Sequence, residues 1–213
     1  LLETAVKNQI KKFVFSSTAA VYGEPQENPI TEEHPKNPMN PYGQSKLMFE
    51  TILKDFSHAH ELEYVILRYF NASGADPDGK IGSMHQAPTH LIPSILEAAS
   101  GVREKISVFG SDYPTRDGTC VRDYIHVSDL AQAHVLALKY LEQGGKSDAF
   151  NLGNGQGFSV KEAIEIAKKV SQKEIPVEMA PRREGDPSEL IANSGKALKS
   201  LGWKCQHSDI ESI

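Results

Sequence analysis

The sequence predicts an α/β fold: a parallel sheet covered by helices on both faces, with a smaller α/β lobe beside it. Two observations carry this. Residues 13–70 read as strand, long helix, strand, and a crossover of that length is the connection parallel neighbours need. Beyond residue 80 the pattern loosens into shorter helices and strands separated by Gly- and Pro-containing loops, as expected of a second lobe.

Residues 1–10 have helical composition, and Phe13 to Ser17 form a short apolar run suited to a buried parallel strand. A polar, Pro-rich loop from Glu24 to Asn40 follows. Just after Pro41, Leu47, Met48, Thr51, Ile52 and Phe56 recur at helical spacing. Tyr64 to Phe70 is β-branched and aromatic, a second strand, closed by the loop residues Ser73 to Gly79. A helix is expected over Leu91 to Ser100, ending at Gly101, then a strand over Ile106 to Phe109 and a long polar loop to Arg122. Ser128 or Asp129 is placed to cap a helix carrying Leu130, His134, Leu138 and Leu141, and Ala149 to Leu152 returns as a strand. Ser159-Val160-Lys161-Glu162 is a capping box opening a helix through Val170, and Pro176 to Met179 makes a last short strand.

The bulk numbers exclude several function classes. The 213 residues carry a net charge of −5, the wrong sign for nucleic acid or an anionic membrane as main partner. Apolar runs such as Lys12 to Phe15 stop far short of the roughly 18 residues that suggest a membrane span. The two cysteines, Cys120 and Cys205, have no metal-type spacing and form no disulfide framework, which points to a reducing compartment, the cytoplasm by default, and to no metal. The start at Leu1-Leu2-Glu3-Thr4 reads as mid-helix, so the chain is expected to be a piece of a longer protein.

Tyr42 and Lys46 are one helical turn apart, so they share a face and the ammonium can approach the phenol oxygen. A nearby cation favours the phenolate, which suits a general base. The same spacing also occurs on solvated helix faces. Upstream, the Phe13 strand ends in Ser16, Ser17 and Thr18, and ligands of open α/β sheets sit at the carboxyl ends of strands; hydroxyls there also cap loops. Gly153-Asn154-Gly155-Gln156-Gly157 mimics a dinucleotide fingerprint, but its spacing is G-x-G-x-G, and it reads as a strand-to-helix turn.

Six blocks stand in order along nearly the whole chain: Ser-Ser-Thr-Ala-Ala-Val-Tyr-Gly (16–23), Pro-Tyr-Gly-Gln-Ser-Lys (41–46), Leu-Arg-Tyr-Phe-Asn (67–71), Val-Arg-Asp-Tyr-Ile-His-Val-Ser-Asp-Leu (121–130), Asn-Leu-Gly-Asn-Gly (151–155) and Pro-Arg-Arg-Glu-Gly-Asp (181–186). Together they resemble the extended short-chain dehydrogenase/reductase family, its sugar-nucleotide epimerase branch most closely. The resemblance implies the C-terminal part of a Rossmann-type doubly wound sheet over residues 1–72, and a mainly substrate-binding lobe over 73–213 with 124–152 returning to the Rossmann domain. It implies tightly held NAD and reversible epimerisation at C4 of a UDP-hexose through a 4-keto intermediate. Tyr42, Lys46 and Thr18 match the catalytic site, and Ser16, Ser17, Thr18, Tyr42, Lys46, Tyr69 and Phe70 the cofactor side. Asn71, His90, Leu91, Ser107, Val108, Phe109, Arg122, Arg183, Asp186 and Leu190, with Thr18 and Tyr42, match the UDP-sugar side, the arginines as guanidinium forks for a diphosphate.

The chain departs from the family pattern at Thr89-His90-Leu91, where Asn-Asn-Leu is usual, and Leu190 stands where residue size selects plain or N-acetylated hexoses. A homodimer is implied through the Tyr42 helix and the helix before Phe13. The cofactor fingerprint of the family would precede Leu1, so this chain alone is expected to bind NAD poorly and to lack activity. Two rivals remain: a nucleotide-sugar 4,6-dehydratase, which would carry an acid and a base where Ala19 and Ala20 stand, and a non-catalytic binding relative.

Overall fold

The computed structural model describes residues 1–84 and 88–213. Along the chain run helix α1 (Leu2–Lys7), strand β1 (Lys12–Thr18), a 3-10 turn (Ala19–Val21), α2 (Pro41–His60), β2 (Glu63–Tyr69), β3 (Asn71–Ser73), α3 (Leu91–Ala99), β4 (Ile106–Phe109) and β5 (Val121–His126). There follow α4 (Val127–Glu142), β6 (Asp148–Leu152), β7 (Gly157–Ser159), α5 (Val160–Ser171), β8 (Val177–Ala180), β9 (Glu189–Leu190) and α6 (Gly195–Leu201).

The first sheet has the order β1-β2-β6, all parallel, with Thr18 beside Tyr69 and Tyr69 beside Leu152 at its carboxyl end. Successive side chains on a strand point to opposite faces, so each strand serves two cores. Val65 and Leu67 of β2 pack with Ala133, Ala137 and Leu141 of α4 and with Leu201 and Trp203 around α6. Ile66, between them, packs with Leu2 of α1 and Leu53 of α2 on the other face. Helices therefore cover both faces, as the buried, β-branched strands require.

Helix α2 is the longest, with 20 residues, and its start is set by sequence: Asn40 accepts from Gly43 N–H at 2.8 Å and Pro41 occupies the first turn. Its third turn carries Glu50, 1% exposed, which meets the 2% exposed Arg68 of β2 in a two-pronged contact: Nε to Oε1 at 2.9 Å and Nη2 to Oε2 at 2.7 Å. Ser17 donates to the same carboxylate at 2.7 Å. Arg68 Nη1 donates to Tyr22 Oη at 2.9 Å, and Tyr22 donates to Asn151 Oδ1 at 2.6 Å. Burial opposes the Arg68 charge, but the Glu50 hydrogen bonds outweigh it and hold the guanidinium above its usual range; burial pushes the Tyr22 phenol up to about 12.

The second sheet joins β3 and β9 in parallel and β7 antiparallel to β5, while β4 and β8 form a separate parallel pair. A second core of Ile95, Ile106, Val108, Tyr124 and Ile164 lies under them. Its junction with the first sheet is Asp123 on β5. That carboxylate, 0% exposed, accepts from Asn154 N–H at 2.8 Å, Gly155 N–H at 3.0 Å and Ala192 N–H at 3.0 Å. Burial raises its pKa to about 6, against the pull of those three donors.

Several sequence expectations are corrected here. Residues 121–126 form a strand where the sequence predicts a polar loop to Arg122, because half-buried Arg122 and buried Asp123, each with a partner, break the apolar run. His126 caps α4, accepting from Ser128 N–H at 3.1 Å, rather than Ser128 or Asp129. Asp129 is instead buried, accepting from Gln206 N–H at 3.0 Å and His207 N–H at 2.9 Å. The glycine-rich loop at 153–157 leads into strand β7 before α5 begins, and α1 stops at Lys7 instead of reaching residue 10.

The buried ion pair predicts a sharp contrast in stability. Glu50→Ala leaves an uncompensated guanidinium between α2 and β2 and is expected to cost about 3–5 kcal/mol in urea unfolding. Asp78→Ala, which breaks a pair whose side chains are 76% and 69% exposed, is expected to leave the midpoint unchanged.

Candidate functional site

Gly43 decides how closely α2 approaches the end of β1. A Cβ there would lie 2.4 Å from the Ala20 carbonyl oxygen, so only glycine lets the helix seat its first turn on the 3-10 turn. Seated this way, Lys46 donates to the Ser16 carbonyl at 2.9 Å, with its Nζ 5.8 Å from the Tyr42 ring centroid and 5.1 Å from that of Phe15. Tyr42 itself is 54% exposed, its ring open to a ligand. Thr18 is buried; its hydroxyl oxygen accepts from Ala20 N–H at 3.2 Å, and the hydroxyl proton is available to a further acceptor. Tyr69 stands next to this group, interacting with the Ser16 hydroxyl and with Tyr42; burial raises its phenol pKa. Tyr42, Lys46, Thr18, Ser16 and Tyr69 thus meet at the carboxyl ends of β1 and β2, where open α/β sheets bind ligands.

A second group of predicted residues lines one cavity of about 330 Å³: Asn71, His90, Leu91, Ser107, Phe109, Arg122, Arg183 and Asp186. Its volume falls within the range of small-molecule sites. Asn71 fixes its side chain by donating to the Asp123 carbonyl at 2.9 Å. Asp186 is shared by two guanidinium groups: Arg122 Nη2 at 3.0 Å, and Arg183 through Nε at 3.0 Å and Nη2 at 2.9 Å. Arg183 also lies 4.7 Å over the Phe109 ring. Two cations against one carboxylate leave this wall with an excess positive charge, suited to an anion. The consecutive residues Tyr69, Phe70 and Asn71 connect the two groups along the chain.

Other predicted residues lie elsewhere. Ser17 turns its hydroxyl to the opposite face of β1, onto Glu50, because neighbours on a strand alternate. Val108 is 1% exposed and faces the second core, while its neighbours Ser107 and Phe109 face the cavity. Phe70 is buried with Ala19, Val21, Tyr22, Ile30 and Ala192, and Leu190 packs against that same cluster rather than lining the cavity. The register Arg122↔Leu190 nevertheless places Leu190 beside the cavity wall. Cys120 and Tyr124 line the cavity without having been singled out in the sequence. Alternation along β5 would have signalled Tyr124 two residues from Arg122, had the strand been recognised.

The glycine-rich loop is no phosphate cradle. The N–H groups of Asn154 and Gly155 already bind Asp123, and that of Gly153 donates to Ser194 Oγ at 3.0 Å. Among the described residues no group of three or more His, Cys, Asp or Glu is arranged to hold a metal ion, and no helix is long and apolar enough to cross a membrane.

The model of the NAD dependent epimerase/dehydratase family matches residues 1–153. The chain belongs to this family. Over all 213 residues it is 57% identical to a UDP-glucose 4-epimerase of Streptococcus mutans, spanning 64% of that relative's length. It covers 66% of a UDP-glucose 4-epimerase structure from Brucella ovis in complex with NAD, with a TM-score of 0.96 at 46% identity. It covers 64% of the Bifidobacterium longum enzyme in complex with NAD+ and UDP, with a TM-score of 0.94 at 43% identity. In each case the whole of this chain is aligned. The similarity to these epimerases is therefore one of fold and of sequence together, and it agrees with the mixed α/β architecture with parallel sheets read from the strand pattern.

His126, which closes β5 beside Ser73, makes the stability of the fold depend on pH. Burial first and the His207 ring second lower its pKa, with Asp129 opposing. The folded state therefore favours the neutral ring, whose Nδ1 must accept from Ser128 N–H. Its contribution is complete above the unfolded histidine value of about 6.5 and is lost as pH falls below it. Urea midpoints are expected to fall between about pH 7 and pH 5, and less steeply in His126→Asn, which caps without titrating.

Proposed function

We propose that this chain is the larger part of a UDP-glucose 4-epimerase, a protein that reversibly inverts C4 of a UDP-hexose with bound NAD. The observation that carries the reading is the docking of Lys46 on the Ser16 carbonyl, which sets the exposed Tyr42 ring beside Thr18 and a short chain step from the arginine-lined cavity. A general base, an ammonium beside it, a hydroxyl to orient a sugar and guanidinium groups for a diphosphate are the parts such a reaction needs.

The donor set fits the nicotinamide side of the cofactor. Tyr42, Lys46, Ser16 and Tyr69 present phenols, an ammonium and a hydroxyl at the strand ends, suited to a ribose and an amide. NAD, when bound, takes hydride from C4 of the sugar and gives it back. Tyr42, as the phenolate that the Lys46 ammonium favours, accepts the proton of the 4-hydroxyl, which Thr18 orients. Arg122 and Arg183 hold the diphosphate while the keto-sugar turns, and Asp186 is placed to bind the ribose. Tyr42 then returns the proton to the other epimer, so no proton or electron is gained or lost. Ala19 and Ala20, in the turn after Thr18, bring no acid or base, which disfavours the 4,6-dehydratase reading.

Leu190 packs on the Phe70 cluster beside Arg122 of the cavity wall, and plain and N-acetylated UDP-hexoses both belong to this proposal. A homodimer through α2 is supported by Met48 and Ile52, 55% and 44% exposed one turn apart on that helix. The free thiols of Cys120 and Cys205 suit a cytoplasmic location, and the proposed reaction suits a role in galactose metabolism.

Two measurements test the reading. In the complete protein, Tyr42→Phe is expected to lower kcat for UDP-galactose at least about 10²-fold, the usual worth of a positioned base; turnover at the parent rate would overturn the assignment. Calorimetry of this chain with UDP is expected to show binding that Arg183→Ala weakens about tenfold or more, since a charge-assisted contact to a diphosphate is lost.

A further inference from the structure

Ser16 is gripped from both faces of the first sheet. Its carbonyl accepts from Lys46 of α2 at 2.9 Å, and its hydroxyl lies 2.8 Å from Nε2 of His134 on α4. The other ring nitrogen, Nδ1, lies 2.8 Å from the Leu130 carbonyl one turn back along α4. A carbonyl only accepts, so Nδ1 carries the proton and Nε2 is left as an acceptor. The Ser16 hydroxyl then donates to the neutral ring of His134, close to the phenol of Tyr69, which lies within electrostatic reach of Tyr42. One imidazole, anchored on its own helix, thereby sets the direction of hydrogen bonding next to the proposed base.

The placement of His134 is not a packing necessity. Its helix neighbours Ala133 and Ala137 are fully buried in the first core, whereas His134 is only partly buried and spends both ring nitrogens on polar partners. We propose that His134 is a positioning residue of the catalytic site: by accepting the Ser16 hydroxyl it fixes the end of β1 on which the Lys46 ammonium rests, and it orients the hydroxyl facing Tyr69. It touches no reacting atom. The proposal rests on the epimerase reading, and it adds α4, on the far side of the sheet from Tyr42, to the parts that reaction uses.

The ring itself is observable without cofactor. In ¹⁵N spectra of this chain, with His134 assigned by its loss in His134→Gln, the ring is expected as the Nδ1–H tautomer, and Ser16→Ala is expected to shift its Nε2 resonance. An Nε2–H tautomer, or an Nε2 resonance indifferent to Ser16→Ala, would sink the proposal. In the complete protein, His134→Leu is expected to lower kcat for UDP-galactose about tenfold, the scale of a small misplacement of catalytic groups, with KM and the thermal midpoint unchanged. His134→Gln should recover most of the rate, because its amide oxygen can still accept. Ser16→Ala should match the loss, and the double variant should be no worse than either single one. Parent-like kcat in His134→Leu, or losses that multiply in the double variant, would overturn it; should His134→Leu not fold, Ser16→Ala and His134→Gln carry the comparison. A complete parent protein that leaves UDP-galactose unchanged would instead count against the epimerase reading, and the tautomer spectrum would still decide the geometry at Ser16.

Discussion

The fork between Arg68 and Glu50 is the constraint on which the first sheet and its helices are built. Two charges taken out of water are tolerated only when every remaining lone pair and proton is used, and here Ser17, Tyr22 and Asn151 complete the set. Glu50 lies one turn beyond Lys46 on the same face of α2. Pinning it to β2 therefore fixes the rotation of the helix about its axis, and with it the direction in which Lys46 and Tyr42 point. Apolar packing alone would be satisfied by small slides of α2 over the sheet. A two-pronged ion pair is not, because both prongs must keep their geometry.

A second buried carboxylate does the same for the other lobe. Asp123 gathers three backbone N–H groups from the loop after β6 and from the segment after β9, so the cavity strand β5 is tied to the end of the first sheet. The carboxylates thus divide the work by depth. Glu50 and Asp123, fully buried, hold elements together. Asp186, nearer the surface, shares two arginines at the cavity wall. An anion entering there meets guanidinium groups already oriented and already partly neutralised, so they are preorganised without an unpaired charge being buried in its absence. The single positive excess that remains is what favours an anionic ligand over a neutral one.

What was legible in the sequence was what short-range chemistry controls. The Tyr42 and Lys46 pairing follows from the 3.6-residue period and from the Asn40-Pro41 start of the helix, all within seven residues. The capping box at Ser159 and Glu162 is equally local and formed as read. The strands of the first sheet stand out because each carries a central apolar run, Phe13 to Phe15 in β1 and Val65 to Leu67 in β2, packed between helices on the two faces. Strand β5 is not legible for the opposite reason: its Arg122 and Asp123 find their partners 64 and 31 residues away, which no local window contains.

The sequence by itself therefore determined the strands of the first sheet, the helix carrying Tyr42 and Lys46, and, through six ordered blocks, the family. Only the tertiary structure decided which side each strand residue faces. It turned Ser17 toward Glu50 and Val108 into the second core, while Ser16 met His134 across 118 positions of chain. The physical reason is that periodicity specifies alternation but not its phase at a given residue. Phase is set by which distant group satisfies each buried polar atom, and that partner exists only once the sheets and helices have come together.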